Sequence, residues 1–171
     1  YAFEELLITA GAFSKQFTDQ LSESIPLETE RGYHVHFKES ARVVNRPVCS
    51  LDNGIYLTPM EQGLRAAGTV ELGGLSNPPS PKRIQYVIQE TKKMISNLPD
   101  PYDSWMGFRP SLPDFVPVIG ESKHYKNIFY AFGHHHLGWT LAAITGSVIS
   151  KIICKDGVNL NFSKYNSDRF I

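Results

Sequence analysis

The hydrophobic positions of this sequence follow a period of two in its first half and a helical period in its second. Between Arg31 and Lys38, apolar and polar residues alternate, which is typical of a strand with one buried face. Between Thr140 and Cys154, apolar residues recur every three or four positions, which predicts a helix with one apolar stripe. We expect Gly157 to end this helix, because glycine readily adopts the left-handed conformation of a C-terminal cap.

After residue 31, short apolar segments alternate with turn residues, a pattern that predicts an antiparallel sheet. We expect further strands over 43–50, 55–59 and 64–72. Asn53-Gly54 separates the first two of these strands, and an Asn-Gly pair supplies the positive φ angles that a tight hairpin turn needs.

A helix is predicted after this sheet. Ser80 is a suitable N-cap residue, and Pro81 occupies the first helical position, where its missing N–H group costs little. Apolar residues recur at helical spacing up to Leu98, and Pro99 ends the segment. Because one side of the helix is apolar and the other is charged, we expect it to cover one face of the sheet.

The segment after residue 128 predicts a strand, a glycine-bearing turn and the start of the last helix. The strand covers 128–132, and Gly133 and Gly138 lie in the turn. This arrangement places backbone N–H groups and the positive end of a helix dipole at one point, which suits an anion or an electron-rich oxygen. The alternative is an ordinary strand–helix connection. Another buried strand, over 6–10, leads to Gly11 and is expected inside a parallel sheet.

Charge and cysteine content narrow the function classes. The 17 basic and 17 acidic residues cancel, so we expect no basic surface for nucleic acid. Cys49 and Cys154 are isolated, which indicates neither a disulfide framework nor a zinc site. The apolar run over 137–154 resembles a membrane span, but its polar residues favour a buried helix.

The histidines raise the question of a metal site. His134, His135 and His136 are consecutive, so their side chains point in different directions and cannot surround one ion unaided. His34 and His36 share one face of a strand, but no acidic or histidine partner lies close to them in sequence. We therefore predict no metal site, and we interpret the second pair as part of a solvated strand face.

Two motifs carry a resemblance to a known family. They are Trp105-Met-Gly-Phe-Arg-Pro-Ser-Leu-Pro-Asp-Phe-Val-Pro-Val-Ile-Gly120 and Gly133-His-His-His-Leu-Gly-Trp-Thr-Leu-Ala142. In this order they resemble the C-terminal part of the FAD-dependent D-amino-acid oxidoreductases. The D-amino-acid dehydrogenase branch is the most similar, and glycine and sarcosine oxidases are more distant. The resemblance covers nearly the whole chain.

The resemblance implies an α+β fold. An antiparallel substrate-domain sheet with a covering helix would be flanked by strand and helix pieces of a Rossmann-like FAD domain. Residues 1–30 would be a returning segment of the FAD-binding domain, 31–110 the substrate-binding domain, and 111–171 the C-terminal part of the FAD-binding domain. The chain contains no GxGxxG motif. We therefore expect the nucleotide-binding half upstream and interpret the chain as a C-terminal fragment.

Two arginines are candidates for binding a substrate carboxylate. Arg109 occupies the Gly-x-Arg-Pro position that has this role in the family, and an arginine fork suits a planar carboxylate. The alternative for Arg109 is a structural pair with Asp114. Arg65 either reaches the site from the sheet or is an exposed strand residue paired with Glu61 or Glu71.

Two tyrosines are further candidates for the substrate site, and the resemblance assigns a set of residues to FAD. Tyr33 and Tyr56 are candidates for the wall of a small-substrate pocket, although aromatic strand residues are more often core residues. The glycine turn would lie against the flavin. The expected FAD-binding residues are Gly11, Gly133, His134, His135, His136, Leu137, Gly138, Trp139 and Thr140.

The implied reaction is the oxidation of a D-amino acid, with hydride transfer to FAD and hydrolysis of the imine to a 2-oxo acid and ammonia. Electrons would pass to a quinone or respiratory carrier, and a glycine- or sarcosine-type oxidase that uses oxygen is the alternative. No side chain is assigned as a catalytic base. We expect a cytoplasmic protein. The alternative is a protein that is attached peripherally to the inner membrane.

A hypothesis of another class is that the chain alone is a catalytically inert substrate-binding and scaffold module. Without a pyrophosphate-binding segment, FAD would be absent from this fragment. The strand over 6–10 would then lack neighbours, and an unpaired strand edge favours self-association into a homodimer.

Overall fold

The computed structural model describes residues 2–38, 43–157 and 162–170, and the chain divides into two compact units. The first unit comprises Tyr1–Thr29 and Arg109–Ile171, and the second is Glu30–Phe108. The domain boundaries predicted after residues 30 and 110 lie within two residues of these limits. The elements are β1 (Leu6–Ile8), α1 (Lys15–Gln20), β2 (Glu28–Lys38), β3 (Val48–Ser50), β4 (Ile55–Met60), β5 (Gly63–Leu72), α2 (Pro81–Met94), β6 (Asp103–Ser111), β7 (Val118–Glu121), β8 (Ile128–Phe132) and α3 (Gly138–Ile153), with short 3₁₀ helices at Gly11–Phe13, Ser163–Tyr165 and Ser167–Phe170.

A five-stranded sheet in the order β3-β4-β5-β2-β6 dominates the second unit. Strands β3, β4 and β5 are consecutive and antiparallel, and β2 pairs antiparallel with β5. Gly54 has a φ of 62° in the turn between β3 and β4, as the Asn-Gly signal predicts. The strand predicted over 43–50 is wrong in its first part, because β3 begins only after Pro47, which has no N–H group for a ladder. Residues 39–42 lie outside the described part of the chain.

Helix α2 covers one face of this sheet. Alternate residues of β2, β4 and β5 point toward it and are buried, so the period-two pattern is confirmed. This separation of faces leaves the opposite side of the sheet for polar and aromatic side chains. The buried cluster contains Tyr33, Val35, Phe37, Ile55, Leu57, Leu64, Ala66, Val87 and Leu98.

Arg31 anchors the loop between β5 and α2. Its side chain is 1% exposed. The guanidinium donates hydrogen bonds to three backbone carbonyls, those of Gly74 (2.8 Å), Pro78 (3.1 Å) and Asn77 (2.7 Å). Its Nη1 also lies 3.6 Å from the carboxylate of Glu71. A buried cation is thus satisfied by carbonyl dipoles and one acidic side chain, which is what its burial requires.

Strand β5 contains a bulge at Thr69. Gly32 of β2 lies opposite Val70, and the next residue, Tyr33, lies opposite Gly68, so Thr69 has no partner across the ladder. Its φ is 65°, an unfavourable value for a β-branched residue. The bulge therefore stores backbone strain in the middle of the sheet.

The first unit contains a three-stranded sheet in the order β1-β8-β7. Strand β1 runs parallel to β8, and β7 runs antiparallel to it. Helix α3 packs its Val148 and Ile149 against Ile119 and Phe129 of the sheet. Together with the antiparallel sheet and its covering helix, this arrangement confirms the predicted α+β class. Within the described residues, no helix is long and apolar enough to cross a lipid bilayer.

Two predicted boundaries in this unit differ from the structure. Strand β1 ends at Ile8 rather than at residue 10, because the chain enters the 3₁₀ helix Gly11–Phe13. Gly157 is not the left-handed residue after α3. Lys155 takes this conformation, with a φ of 58°, directly after the C-cap residue Cys154.

Candidate functional site

The turn between β8 and α3 requires a glycine at position 133. Gly133 has a φ of 86°, a conformation that favours glycine. A Cβ atom at this position would lie 2.5 Å from Cδ1 of Leu112. The turn therefore passes close to the buried side chain of Leu112. Any residue with a Cβ atom at position 133 would force that side chain or the turn to move.

The N-terminus of α3 offers backbone donors. Its N-cap residue is Leu137, no side chain caps the helix, and the first turn contains no acidic residue. Trp139, within this first turn, is 98% exposed. The first N–H groups of a 16-residue helix without a capping side chain suit an electron-rich group, since the helix dipole adds to their partial charges. The Gly133–Thr140 segment thus suits a group that carries negative charge.

The three consecutive histidines have different environments. His134 is half-buried and its Nε2 lies 3.0 Å from Oγ1 of Thr145, and burial lowers the pKa of His134. The rings of His135 and His136 contact each other through their Nδ1 atoms. The edge of the His135 ring meets Phe115 at a centroid distance of 5.1 Å. Among the described residues, no group of three potential ligands could hold a metal ion.

Arg109 has a buried nitrogen without a partner. Its Nη1 is inaccessible to solvent and makes no hydrogen bond with the described residues. Asp114, considered above as its structural partner, binds Arg169 instead, with 2.8 Å between Oδ2 and Nε. Burial would raise the pKa of Asp114, but hydrogen bonds from Arg169 and from the Val116 backbone lower it. The carboxylate of Asp114 is therefore committed to another arginine, which favours a ligand role for Arg109.

The two tyrosines assigned to one pocket lie on opposite faces of the five-stranded sheet. Tyr33 is 1% exposed in the core under α2, and its hydroxyl contacts the Glu71 carboxylate and the backbone N–H of Ser80. Tyr56 is 58% exposed on the other face. They cannot wall the same pocket. The position of Tyr33 fits the core interpretation, whereas Tyr56 stays a prediction as a substrate contact.

The face of the sheet opposite α2, here called the open face, collects polar and aromatic side chains. In the strand register, Arg65 lies between Thr58 of β4 and His36 of β2. The ring of His34 stacks on Trp105, with centroids 5.0 Å apart and planes at 25°. The alternation along β2 predicted that His34 and His36 share a face, but pairing across strands cannot be read from spacing. The residues of the open face are His34, His36, Tyr56, Thr58, Arg65 and Trp105.

Arg65 and Asp103 bring charges of opposite sign to the histidines of the open face. Burial is the main cause that lowers the pKa of His34 to about 4, and His36 and Arg65 add to the effect, while Asp103 opposes it. His34 is therefore neutral at neutral pH. His36 Nδ1 lies 3.7 Å from the Asp103 carboxylate. The Nε atom of Arg65 is buried and has no hydrogen-bond partner among the described residues.

Comparison with known proteins gives the family. Residues 1–152 match the family described as FAD dependent oxidoreductase. The chain is 34% identical over 175 residues to the D-amino-acid oxidase of Bradyrhizobium diazoefficiens, covering 99% of this chain and 42% of that protein. It is 26% identical over 170 residues to the D-amino acid dehydrogenase of Vibrio atlanticus, covering 96% and 40%. The chain therefore spans about two-fifths of the length of these relatives.

Solved structures share the fold. Glycine oxidase from Geobacillus kaustophilus superposes with a TM-score of 0.87 at 20% identity, covering 100% of this chain and 47% of that one. L-Proline dehydrogenase from P. horikoshii gives a TM-score of 0.80 at 22% identity, covering 96% and 46%. These likenesses concern the fold alone, whereas the family match extends over most of the sequence. The resemblance carried by the two motifs is thus confirmed, and the chain belongs to the FAD dependent oxidoreductase family.

Proposed function

We propose that this chain is the C-terminal part of a flavoenzyme that oxidises D-amino acids, whose imine products hydrolyse to 2-oxo acids and ammonia. Membership of the family supports the redox class. The names of the two relatives, a D-amino-acid oxidase and a D-amino acid dehydrogenase, support the substrate class. The relatives are more than twice as long as this chain, which supports the role of a part within a larger enzyme.

The observation that carries the proposal is the buried, unpartnered Nη1 of Arg109. A buried guanidinium N–H group without an acceptor costs free energy, which a bound carboxylate would recover through charge-assisted hydrogen bonds. All amino acids present a planar carboxylate of this kind. Asp114 forms its ion pair with Arg169. Arg109 therefore does not have to break an ion pair with Asp114 before it binds a substrate.

The glycine turn supplies the cofactor side of the site. FAD, when bound, supplies the hydride acceptor that amine oxidation needs. The Gly133–Thr140 segment would hold it through backbone N–H groups, and the helix dipole of α3 would stabilise negative charge at that end. His134, whose Nε2 contacts the Thr145 hydroxyl, presents a ring nitrogen within the same turn. No side chain of this chain is needed as a base when the substrate amine arrives neutral.

Arg109→Leu in the full-length protein tests the substrate role. We expect kcat/KM for a D-amino acid to fall about 100-fold or more, because the carboxylate loses a charged, two-pronged partner. Arg109→Lys should recover a small part, since an ammonium provides charge without the fork. The matched control is Arg83→Leu, on the exposed side of α2. Unchanged kinetics of Arg109→Leu would exclude the assigned role.

A quinone or other respiratory carrier is the proposed electron acceptor. The proposed location is the cytoplasm, with attachment of the protein to the surface of the inner membrane. Use of oxygen is the second candidate, which the name of the 34% identical oxidase favours. Reduced full-length enzyme is mixed with a quinone analogue without oxygen, and separately with oxygen. Fast reoxidation by the quinone and slow reoxidation by oxygen support the dehydrogenase, and the reverse order identifies an oxidase.

The isolated 171-residue chain provides a separate test of the scaffold alternative. Its visible absorption spectrum is recorded before and after addition of FAD, followed by D-alanine. A colourless protein that does not bind FAD fits a part of a larger site. A bound flavin that D-alanine bleaches would contradict the proposed dependence on further segments.

A further inference from the structure

Arg65 on the open face has the features of a ligand-binding residue. Its Nε–H group is buried and lacks a hydrogen-bond partner among the described residues. Its neighbours across the ladder are Thr58 and His36, neither of which is an anion. Of the two acids considered from sequence as partners, Glu61 and Glu71, the second is engaged by Tyr33 and by Arg31. The guanidinium therefore lies in the sheet with an unsatisfied donor, which native structures rarely leave without a reason.

The surroundings of Arg65 select the kind of ligand. His34, whose pKa of about 4 leaves it neutral at neutral pH, adds no positive charge beside the Arg65 guanidinium. The His34 and His36 rings lie 4.7 Å apart, and His34 stacks on Trp105, which is 57% exposed. A partly apolar row of rings, in which His34 and Trp105 are stacked, thus lies beside the cation. It suits a small molecule with a planar anionic end and a carbon skeleton.

We propose that Arg65 and the row of His36, His34 and Trp105 form a carboxylate-binding site for a small organic acid, with the Nε–H group of Arg65 donating to a carboxylate oxygen. The site deepens the proposed function, on which it rests for the expectation that the ligand is an amino acid. Two sources have this chemistry: the α-carboxylate of any amino acid, and the side-chain carboxylate of an acidic one.

Direct binding to the 171-residue chain tests the site without cofactor or turnover. The sequence contains two tryptophans, so Trp139→Phe leaves Trp105 as the reporter on the open face. Fluorescence is titrated with D-alanine, D-aspartate and acetate at constant ionic strength. In parallel, the Nε–H resonances of the arginines are followed by NMR in the ¹⁵N-labelled chain. We expect saturable fluorescence changes and a downfield shift of the Arg65 resonance.

Arg65 variants decide whether this residue binds the ligand. Arg65→Met is expected to raise Kd at least tenfold, which corresponds to about 1.4 kcal/mol. Arg65→Lys keeps a charge but has no Nε–H fork, and we expect it also to weaken binding severalfold. Arg83→Met, on the exposed side of α2, is the control and should bind as the parent chain does. If Arg65→Met fails to fold, two other measurements test the proposal. They are the fluorescence titration of Arg65→Lys and the shift of the Arg65 Nε–H resonance in the parent chain.

The ligands distinguish the two carboxylate sources. Equal loss of D-alanine and D-aspartate binding in Arg65→Met assigns the α-carboxylate, and selective loss of D-aspartate binding assigns a side-chain carboxylate. Each result supports the site. The proposal is overturned if no ligand gives a saturable change, or if both Arg65 variants bind as tightly as the parent chain. Failure of the proposed function would instead appear in the full-length enzyme, as turnover that is insensitive to Arg109→Leu.

Discussion

The hydroxyl of Tyr130 donates a 3.0 Å hydrogen bond to Oε2 of Glu23, although 107 positions separate the two residues in sequence. Both side chains are buried. The second carboxylate oxygen of Glu23 accepts from the Ser122 hydroxyl and from the backbone N–H of His124. Burial and the neighbouring carboxylate raise the pKa of Tyr130 well above its usual value, so the phenol remains a donor. A single carboxylate thus ties the segment after α1 to the β7–β8 loop and to β8.

Removing this carboxylate should destabilise the first unit strongly. We expect Glu23→Ala to lower the free energy of unfolding by about 3 kcal/mol, because three donors lose a charged acceptor in a buried site. Tyr130→Phe removes one donor and should cost about 1 kcal/mol. Urea unfolding measures both. Glu121→Ala, an exposed position at the end of β7, is the control, and a loss as large as that of Glu23→Ala would refute a special role for the buried acid.

Gly133→Ala should be destabilising, and the loss should depend on Leu112. The added Cβ meets both a positive φ and the Leu112 side chain, so we expect a cost of about 2 kcal/mol in unfolding free energy. In the Leu112→Ala background the same change should cost less. Gly138→Ala is the matched control, because a Cβ there would lie 3.8 Å from the Cβ of His134, an ordinary contact. Equal costs at the two glycines would contradict the steric explanation.

The bulge at Thr69 offers a stabilising substitution. Glycine tolerates the positive φ of this residue, so we expect Thr69→Gly to raise the free energy of unfolding by about 1 kcal/mol despite the greater chain entropy of glycine. The change also removes a buried hydroxyl that has no partner among the described residues. Val70→Gly, the next position of β5, should instead be destabilising. Thermal unfolding of both variants checks the opposite signs.

Stability should depend on pH through His34. Its pKa of about 4 in the folded chain lies below the usual histidine value of 6.5, so the unfolded state binds more protons between these two values. The contribution of neutral His34 is therefore complete above about pH 6.5 and is lost as the pH falls toward 4. His34→Gln should flatten the curve in this window. NMR titration of the His34 ring gives the pKa directly, and a value near 6.5 would refute the prediction.

Local patterns in the sequence predicted most of the sheet. The alternation around Tyr33, Val35 and Phe37 identified the buried face of β2, and Asn53-Gly54 identified the β3–β4 hairpin. Both signals arise within a few residues, where backbone preference and burial agree. The bulge at Thr69 was not predicted, because it depends on how β5 pairs with a strand more than 30 residues earlier.

The candidate site was only partly predictable for the same reason. The motif around Arg109 identified this residue as a candidate, and the short sequence distance suggested Asp114 as its partner. In the structure, Asp114 instead accepts a hydrogen bond from Arg169, which is 55 positions away. Tyr33 was a candidate for the wall of the substrate pocket, whereas the sheet turns its ring into the core. Contacts between distant segments follow from tertiary packing, which no local pattern of residue types specifies.

The hydrogen bonds of Arg31 limit how the loop before α2 can change in length. Three carbonyls between Gly74 and Pro78 converge on one guanidinium, and a Cβ at Gly73 would lie 3.0 Å from its Cζ. An inserted residue would move at least one carbonyl out of reach and leave a buried cation short of acceptors. This surface loop, unlike most, should therefore reject insertions while tolerating substitutions, because its length is set by the reach of a single side chain.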